Sequence, residues 1–184
     1  MTLSKKKVRG IVGFTFGEQG DNPENWFNRA HSFYKAAILL NGSSESNHSI
    51  AYYNNAGLSI ELLLKAIILS KSKRFATNHN LVQLSKDSGV NLTEDQECTL
   101  ELLTEIIIWS GRYPIPKKEG QWDNYHDVII EKHIVREKDG NTHRTFVHRG
   151  RFPLIENYKR IWNTCELEYK KLTQLCEFNS HKPL

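Results

Sequence analysis

The chain has 184 residues, of which 39% are hydrophobic and 25% are charged, and it carries a formal net charge of +4. This composition is ordinary for a globular domain and excludes a disordered or low-complexity chain. The cysteines Cys98, Cys165 and Cys176 exclude a disulfide framework and a paired metal motif, because they are few, odd in number and unremarkably spaced. We expect them to fill helix faces.

Residues 1–21 are basic at the start and show no strong periodicity, so we predict an N-terminal arm outside the folded core. The segment Ile11–Phe16 is too short, and too broken by glycine, to be the apolar part of a secretion signal. Basic residues elsewhere are scattered, which is typical of a solvated surface and permits polyanion binding without requiring it. We therefore expect a cytoplasmic protein that does not enter a membrane.

Two helices are predicted after the arm. Asn22 and Pro23 provide a capping side chain and a proline at the first helical position. Apolar residues then recur at helical spacing as far as Asn41–Gly42. A polar linker, Ser43–Asn47, separates this helix from a longer second helix that is expected to end near Ser72.

The second helix contains the most apolar stretch of the chain, Leu58–Leu69, which only Ser59, Glu61 and Lys65 interrupt. A helix that is apolar around most of its circumference belongs at the centre of a protein. This one is shorter than the roughly 20 residues that span a bilayer. Glu61 precedes Lys65 by four residues, which is the favourable order for a helical ion pair. Gly57 predicts a bend or a close contact with another helix.

Two further helices follow. Thr77–Asn80 is predicted to cap a short helix that ends at Asp87–Gly89, where glycine can adopt a left-handed conformation. Thr93–Gln96 has the pattern of a capping box and opens a helix that Gly111 stops.

The period changes between residues 117 and 150. A β-branched run over Val128–Arg136, a turn signal at Asp139–Asn141 and the returning segment Thr142–His148 predict an inserted β-hairpin. A Gly140–Asn141 turn gives cross-strand pairs of compatible chemistry: Glu137 with Arg144, Val135 with Phe146, and Ile134 with Val147. A turn at Asp139-Gly140 is the competing register.

The last helix carries one apolar stripe over residues 154–176. The sequence thus predicts a mainly α fold, a four- to five-helix up-and-down bundle over residues 22–178 with the hairpin at about 126–149 and a tail at 179–184. The stripe is wide enough to serve a homodimer seam as well as a core.

Three motifs occur in a distinctive order: Ser59–Ala66, Asn78–Leu84 and Trp109–Pro114. Their order and spacing resemble the HEPN domains of bacteria and archaea, helical bundles of toxin–antitoxin, phage-defence and nucleotidyltransferase-associated proteins. The resemblance implies a binding module without a cofactor, whose partner is RNA, a nucleotide, a nucleotidyltransferase or another toxin–antitoxin protein.

Many HEPN proteins are metal-independent ribonucleases that carry an arginine and a histidine with four to six residues between them. Histidine can move the protons of 2′-hydroxyl attack, and an arginine can stabilise the charge that develops on the phosphoryl oxygens. Two pairs here have this spacing, Arg74 with His79 and Arg136 with His143. In the nucleases the motif opens a late bundle helix, whereas these pairs flank a loop and a hairpin turn. The resemblance therefore favours a non-catalytic module, with a ribonuclease using Arg74 and His79 as the alternative. A purely structural interaction bundle is the third possibility.

Five residues form the predicted ligand-binding set: Glu61, Lys65, His79, Arg112 and Tyr113. For each, a structural role stands beside the functional one. His79 either satisfies backbone groups at a helix start or contacts a phosphate or substrate. Glu61 and Lys65 form a structural ion pair or part of a site. Arg112 and Tyr113 close the bundle or clamp a nucleotide.

Half of the histidines, His126, His133, His143 and His148, fall in one segment. A zinc site would require strand register to bring three of them together, and no paired cysteine motif accompanies them. We predict surface histidines and no metal.

Overall fold

A computed structural model of the protein describes residues 4–12, 20–42, 49–71, 77–139 and 142–180. The predicted mainly α fold with a small hairpin is confirmed. In chain order its elements are α1 (Lys5–Ile11), α2 (Pro23–Asn41), α3 (Ser49–Ser70), α4 (Leu81–Ser88), α5 (Glu94–Glu105), α6 (Glu119–Asn124), β1 (Ile134–Asp139), β2 (Thr142–Val147) and α7 (Ile155–Ser180). Helix α5 continues as a π-helical turn over Ile106–Ser110, and α6 continues through the π-helical Tyr125–Ile129 and the 3-10 turn Ile130–His133.

Helix α3 is the centre of the bundle. It packs against α2, α4, α5 and α7, and the side chains of its second half are fully buried: Ile60, Leu63, Leu64, Ala66 and Ile67. Of the two roles predicted for Gly57, the close helix contact is observed, because a Cβ there would lie 2.5 Å from Ile107 Cγ2 and 3.3 Å from the Leu103 carbonyl oxygen. No helix of the described segments is long and apolar enough to cross a membrane.

The predicted helix ends are confirmed where capping chemistry defines them. The Asn22 side chain accepts a hydrogen bond from the backbone N–H of Glu24 at 2.9 Å. Thr93 and Gln96 form the capping box, with bonds of 2.9 and 3.3 Å. Gly89 ends α4 with φ of 71°, in the left-handed region that favours glycine.

Part of the predicted N-terminal arm is helical. Ser4 caps α1, because its side chain accepts a hydrogen bond from the Lys7 backbone N–H at 3.3 Å. This helix has no buried residue, so it leaves no hydrophobic periodicity in the sequence. The Ser43–Asn47 linker and the predicted helix end at Ser72 lie outside the described residues.

The hairpin has the predicted register but a later start. Glu137 pairs with Arg144, Val135 with Phe146 and Ile134 with Val147, so the competing register is wrong. The predicted strand start at Val128 is also wrong, because residues 128–133 are helical. Ile129 is buried in the core as a continuation of α6, and this packing overrides its β-branched preference.

The two strands of the hairpin pair with each other and stand away from the bundle. All six residues of β2 are exposed. The base of the hairpin is closed by the backbone N–H of His148, which donates to the His133 carbonyl oxygen at 2.8 Å.

Helix α7 covers the aromatic side of α2. Tyr169 stacks on Phe27 with ring centroids 4.4 Å apart, and Trp162 stacks on Tyr34 at 4.3 Å. The buried stripe of α7 therefore serves the core of this chain: Tyr158, Ile161, Trp162, Cys165 and Tyr169. The side chain of Cys176 and the end of the chain beyond residue 180 lie outside the description.

Candidate functional site

The predicted ion pair on α3 lies inside the bundle. Lys65 Nζ donates to Glu61 Oε1 at 2.6 Å, and both side chains are buried. Two charges removed from water are tolerated only when each has a close partner. Because the two residues lie one helical turn apart on one face, α3 itself supplies both members of the pair.

His79 contacts the carboxylate of this ion pair from the surface of the bundle. Its Nδ1 atom lies 3.0 Å from Glu61 Oε1 and 3.1 Å from Glu61 Oε2. The His79 side chain is 59% exposed, whereas the carboxylate beneath it is buried. The start of α4 is capped by Asn80, whose side chain accepts a hydrogen bond from the Gln83 backbone N–H at 2.9 Å, and the bonds of His79 are to Glu61.

The contact between His79 and Glu61 fixes the hydrogen-bonding role of the imidazole. A carboxylate accepts, so Nδ1 is the donor. Nε2 makes no hydrogen bond within the described ranges. A protonated ring can donate from Nε2 to an anion, and a neutral ring can accept a proton there. The site therefore offers one oriented nitrogen at the surface above a buried pair of charges.

The segment just before α4 is held in place by α5. The backbone N–H of Leu81 donates to Thr104 Oγ1 at 3.0 Å, and Leu81 is fully buried. This bond fixes the chain two residues after His79. The position of the imidazole is therefore set by a tertiary contact and by its own bond to Glu61.

Trp26 belongs to the same site, although its spacing in the sequence indicated only a helix face. Lys65 Nζ lies 5.9 Å from the centroid of the Trp26 ring, within the range of a cation–π contact. The Trp26 indole N–H donates to the Gly20 carbonyl oxygen at 2.7 Å. Helix α2 thus places an aromatic face over the ammonium group, a contact that only the packing of α2 on α3 reveals.

Arg112 and Tyr113 lie apart from this cluster. The Arg112 guanidinium donates to the Ile108 carbonyl oxygen at 2.5 Å, and its Cζ lies 5.7 Å from the centroid of the Tyr113 ring. Within the described segments, neither residue forms a hydrogen bond or ion pair with Glu61 or His79. Both side chains are exposed, so they do not close the bundle. The five predicted residues therefore fall into two separate candidate sites with no bond between them in the described segments.

The structure describes both residues in only one of the two predicted arginine–histidine pairs. Arg74 lies outside the described residues, so its geometry with His79 stays a prediction. In the second pair, the hairpin register puts Arg136 opposite Thr145 and Lys138 opposite His143, so Arg136 and His143 share a face of the ribbon. The Arg136 guanidinium, however, is held by both carboxylate oxygens of Glu131, at 2.5 and 2.7 Å.

The histidines of the insertion do not converge. His126 packs against the rings of Trp122 and Tyr125, with centroids 4.5 and 5.1 Å away. His148 accepts from the Arg151 backbone N–H at 3.2 Å. In the described ranges, no group of three or more His, Cys, Asp or Glu residues is arranged to hold a metal ion.

His133 departs from the expectation of surface histidines. It is 1% exposed, and neither ring nitrogen has a hydrogen-bond partner among the described residues. Burial lowers its pKa to about 4, against smaller opposing effects from the Cys98 backbone and Glu101. No spacing pattern distinguishes this histidine from its neighbours, because its burial depends on how the insertion docks on α5.

The geometry defines a helical-bundle domain with a charged pair in its central helix and a surface histidine bound to that pair. A model of the HEPN domain family matches residues 23–136. The chain belongs to the HEPN domain family. The match ends within β1, so β2 and α7 lie beyond it. No curated protein matches the sequence, and no solved structure matches the chain.

Proposed function

We propose that this protein is a non-catalytic HEPN binding module that holds a phosphate of RNA or of a nucleotide at His79. The observation that supports this is the bond from His79 Nδ1 to the buried Glu61 carboxylate. It orients an exposed imidazole whose Nε2 can donate to an anion when the ring is protonated. A histidine with a fixed orientation binds an anion at less cost in side-chain entropy than a free one.

The sequence around His79 adds positive charge. Lys73 and Arg74 precede it by six and five residues, in the connection between α3 and α4. Basic residues attract a polyanion at long range and release its counterions on binding. The same connection contains no acidic residue between Lys71 and His79. Its charge therefore favours RNA or a nucleotide over a cationic ligand.

Burial argues against catalysis by the cluster alone. Cleavage of RNA requires one group to accept the 2′-hydroxyl proton and another to protonate the leaving oxygen. Glu61 and Lys65 are buried beneath His79, so neither can reach a substrate. The cluster thus offers one exposed proton-transferring group, which is sufficient for binding.

A metal-independent ribonuclease is the second candidate, and the same contact favours it. A carboxylate at Nδ1 leaves Nε2 to accept a proton from the 2′-hydroxyl, as in other carboxylate–histidine pairs. This function requires Arg74 to reach the phosphoryl oxygens, since an arginine stabilises the charge that develops there.

Binding and cleavage can be tested in one assay. Fluorescence anisotropy of labelled single-stranded RNA of mixed sequence, in excess EDTA, gives the affinity, and a gel of the same samples shows whether the RNA is cut. We expect intact RNA and an affinity about tenfold weaker for His79→Ala, which corresponds to about 1.4 kcal/mol. His143→Ala, which removes an exposed histidine of the hairpin, is the matched control and should bind like wild type.

Three results would change the assignment. Cleavage that both His79→Ala and Arg74→Ala abolish would establish the ribonuclease. Equal affinity of His79→Ala and wild type would remove His79 from the binding site. Absence of both binding and cleavage, with all proteins folded, would leave a structural interaction bundle.

The proposal includes a partner protein of a toxin–antitoxin or phage-defence system, such as a nucleotidyltransferase, and a homodimer as the functional unit. The self-association has a direct test in sedimentation equilibrium across a hundredfold range of concentration, where a constant monomer mass would refute the dimer. Co-purification with the product of a neighbouring gene tests the partner, and a protein isolated alone from its native cells would contradict it.

A further inference from the structure

A groove at the end of α5 forms the second of the two separated sites. It encloses about 380 Å³ and is lined by Ile108, Trp109, Tyr113, Pro114, Ile115, Pro116, Lys117 and Gln121. We call it the 108–121 groove. Its volume lies in the range of about 300–1,000 Å³ that is typical of small-molecule sites. Seven of its lining residues carry no charge, so its walls are suited to an apolar or aromatic group.

The groove has a fixed aromatic wall and an exposed aromatic side chain. Trp109 is 5% exposed, and its indole N–H donates to Glu105 Oε2 at 2.6 Å. The ring of Tyr125 packs edge-on against it at 5.2 Å. Tyr113 is 55% exposed, and its backbone N–H donates to the Trp109 carbonyl oxygen at 2.8 Å. Two aromatic residues are thus held next to one another, one as a wall and one open to solvent.

Lys117 is the one charged residue among those that line the groove. Lys118 and Glu119 follow it in the chain, lie outside the lining and carry opposite formal charges. Lys117 forms no ion pair within the segments that the structure describes. The carboxylate of Glu105 on α5 is bonded to the Trp109 indole and lies 3.4 Å from Gln121 Nε2. The charge of the lining therefore complements an anion and repels a cation.

Proline at two positions stiffens the wall. Pro114 and Pro116 have restricted backbone φ angles, and they flank Ile115, which is 67% exposed. A wall with few accessible conformations loses little entropy when a ligand is bound. An aromatic platform, a rigid apolar wall and a cationic lining residue are together the features that recognise an unpaired base and its phosphate.

We propose that the 108–121 groove binds an unpaired nucleotide, free or within a single strand of RNA, with the base stacked on Tyr113 and the phosphate paired with Lys117. The inference rests on the proposed function for the class of ligand only. It assigns that ligand to residues that make no bond to His79, so either assignment can be wrong while the other is correct.

The experiment titrates the protein with AMP by isothermal calorimetry, beside ribose 5-phosphate, which lacks the base, and adenosine, which lacks the phosphate. AMP should bind more tightly than either. Short oligoadenylate distinguishes a strand from a free nucleotide, because the additional phosphates of a strand increase affinity and salt dependence.

Two pairs of variants identify the contacts. Tyr113→Ala should weaken AMP binding at least about fivefold, and Tyr113→Phe should keep it within about twofold, since stacking needs the ring and not the hydroxyl. Lys117→Ala should weaken the binding of AMP more than that of adenosine, which has no phosphate. Lys118→Ala, outside the lining, is the matched control and should leave the binding of both unchanged. The three side chains changed in these four variants are exposed, so each variant is expected to fold.

His79→Ala separates this inference from the proposed function. If it weakens RNA and leaves AMP binding unchanged while Tyr113→Ala weakens AMP, both stand. If Tyr113→Ala binds AMP and RNA like wild type and His79→Ala weakens RNA, the groove assignment is wrong and the proposed function stands. Two further results would overturn the groove assignment. One is binding of ribose 5-phosphate that is as tight as binding of AMP. The other is a wild-type protein that binds RNA but not AMP, together with an RNA affinity that Tyr113→Ala leaves unchanged.

Discussion

The charged cluster on α3 and the base of the β-hairpin each contain a histidine that packs on the bundle, and the two histidines differ in exposure and in hydrogen bonding. His79 is largely exposed and is bonded to a carboxylate that Lys65 also contacts. His133 is buried, with both ring nitrogens unpartnered among the described residues. The buried charge of Glu61 has a partner one helical turn away, whereas the buried ring of His133 has none among the described residues. Where there is none, the buried ring is stable only in its neutral form.

The largest effect should come from removing one member of the buried pair. Lys65→Met leaves the Glu61 carboxylate buried with only the exposed His79 beside it, and should lower the free energy of unfolding by about 3–5 kcal/mol. Urea denaturation followed by circular dichroism measures this. The double variant Glu61→Leu/Lys65→Met is the control, and most of the loss should be restored because no charge remains buried. Equal losses in the single and double variants would show that packing, and not charge, sets the cost.

Acidification should produce the next largest effect, at the hairpin base. The folded-state pKa of His133, about 4, lies below the ordinary value of 6.5. Between these values the unfolded chain binds more protons than the folded one, so stability falls as the pH is lowered from 6.5 to 4. The contribution is lost in full only below pH 4 and amounts to about 3 kcal/mol.

Other carboxylates titrate in the same range, so this effect is measured as a difference from His133→Leu, which cannot be protonated. Urea denaturation at pH 7 and at pH 4.5 gives the comparison. The variant should lose less stability on acidification than wild type does. Parallel pH profiles for the two proteins would mean that the pKa of His133 is the same in the folded and unfolded states, so that burial does not lower it.

A small effect on stability is expected at His79. His79→Ala should change the free energy of unfolding by no more than about 1 kcal/mol, because the imidazole is 59% exposed and Glu61 keeps its bond to Lys65. Thermal and urea denaturation at pH 7 both report on it. A loss as large as that of Lys65→Met would make His79 a structural member of the cluster and would weaken its assignment to binding.

The smallest effect is expected on the exposed strand β2 of the hairpin. Phe146 is 46% exposed and lies on a ribbon that stands away from the bundle. Phe146→Ser should therefore change the free energy of unfolding by no more than about 0.5 kcal/mol. Hydrogen exchange of the α3 amides, unchanged from wild type, would confirm that the ribbon and the core are independent. Faster exchange in α3 would show that they are coupled.

Much of the fold could be predicted because its signals are local. The Asn22 cap, the Thr93–Gln96 capping box and the pairing of Glu137 with Arg144 each depend on residues close together in the chain. The strand predicted from Val128 was wrong because burial of the helical Ile129 outweighs β propensity, and burial is not visible in a short window.

The site was only partly predictable for a related reason. The Glu61–Lys65 pair follows from helical spacing, but the contact of Glu61 with His79 spans 18 residues and depends on how α4 packs. Arg112 was grouped with these residues by sequence order, which does not report distance in the fold. Its neighbour Gly111 packs against Asn54 of α3. Asn54 precedes Glu61 by seven residues, or about 10 Å along the helix axis.

The π-helical turn at the end of α5 has a genetic consequence. The Gly111 N–H donates to the Ile106 carbonyl oxygen at 2.9 Å, five residues back, so the turn contains one residue more than an α-helical turn. The widened turn absorbs this extra residue, so deleting one codon between 107 and 110 would restore α-helical bonding and leave the direction of the following chain almost unchanged. The cap of α5 at Thr93 lies upstream and would stay intact. A single in-frame deletion can therefore change the spacing of the residues that line the 108–121 groove without disturbing the start of α5.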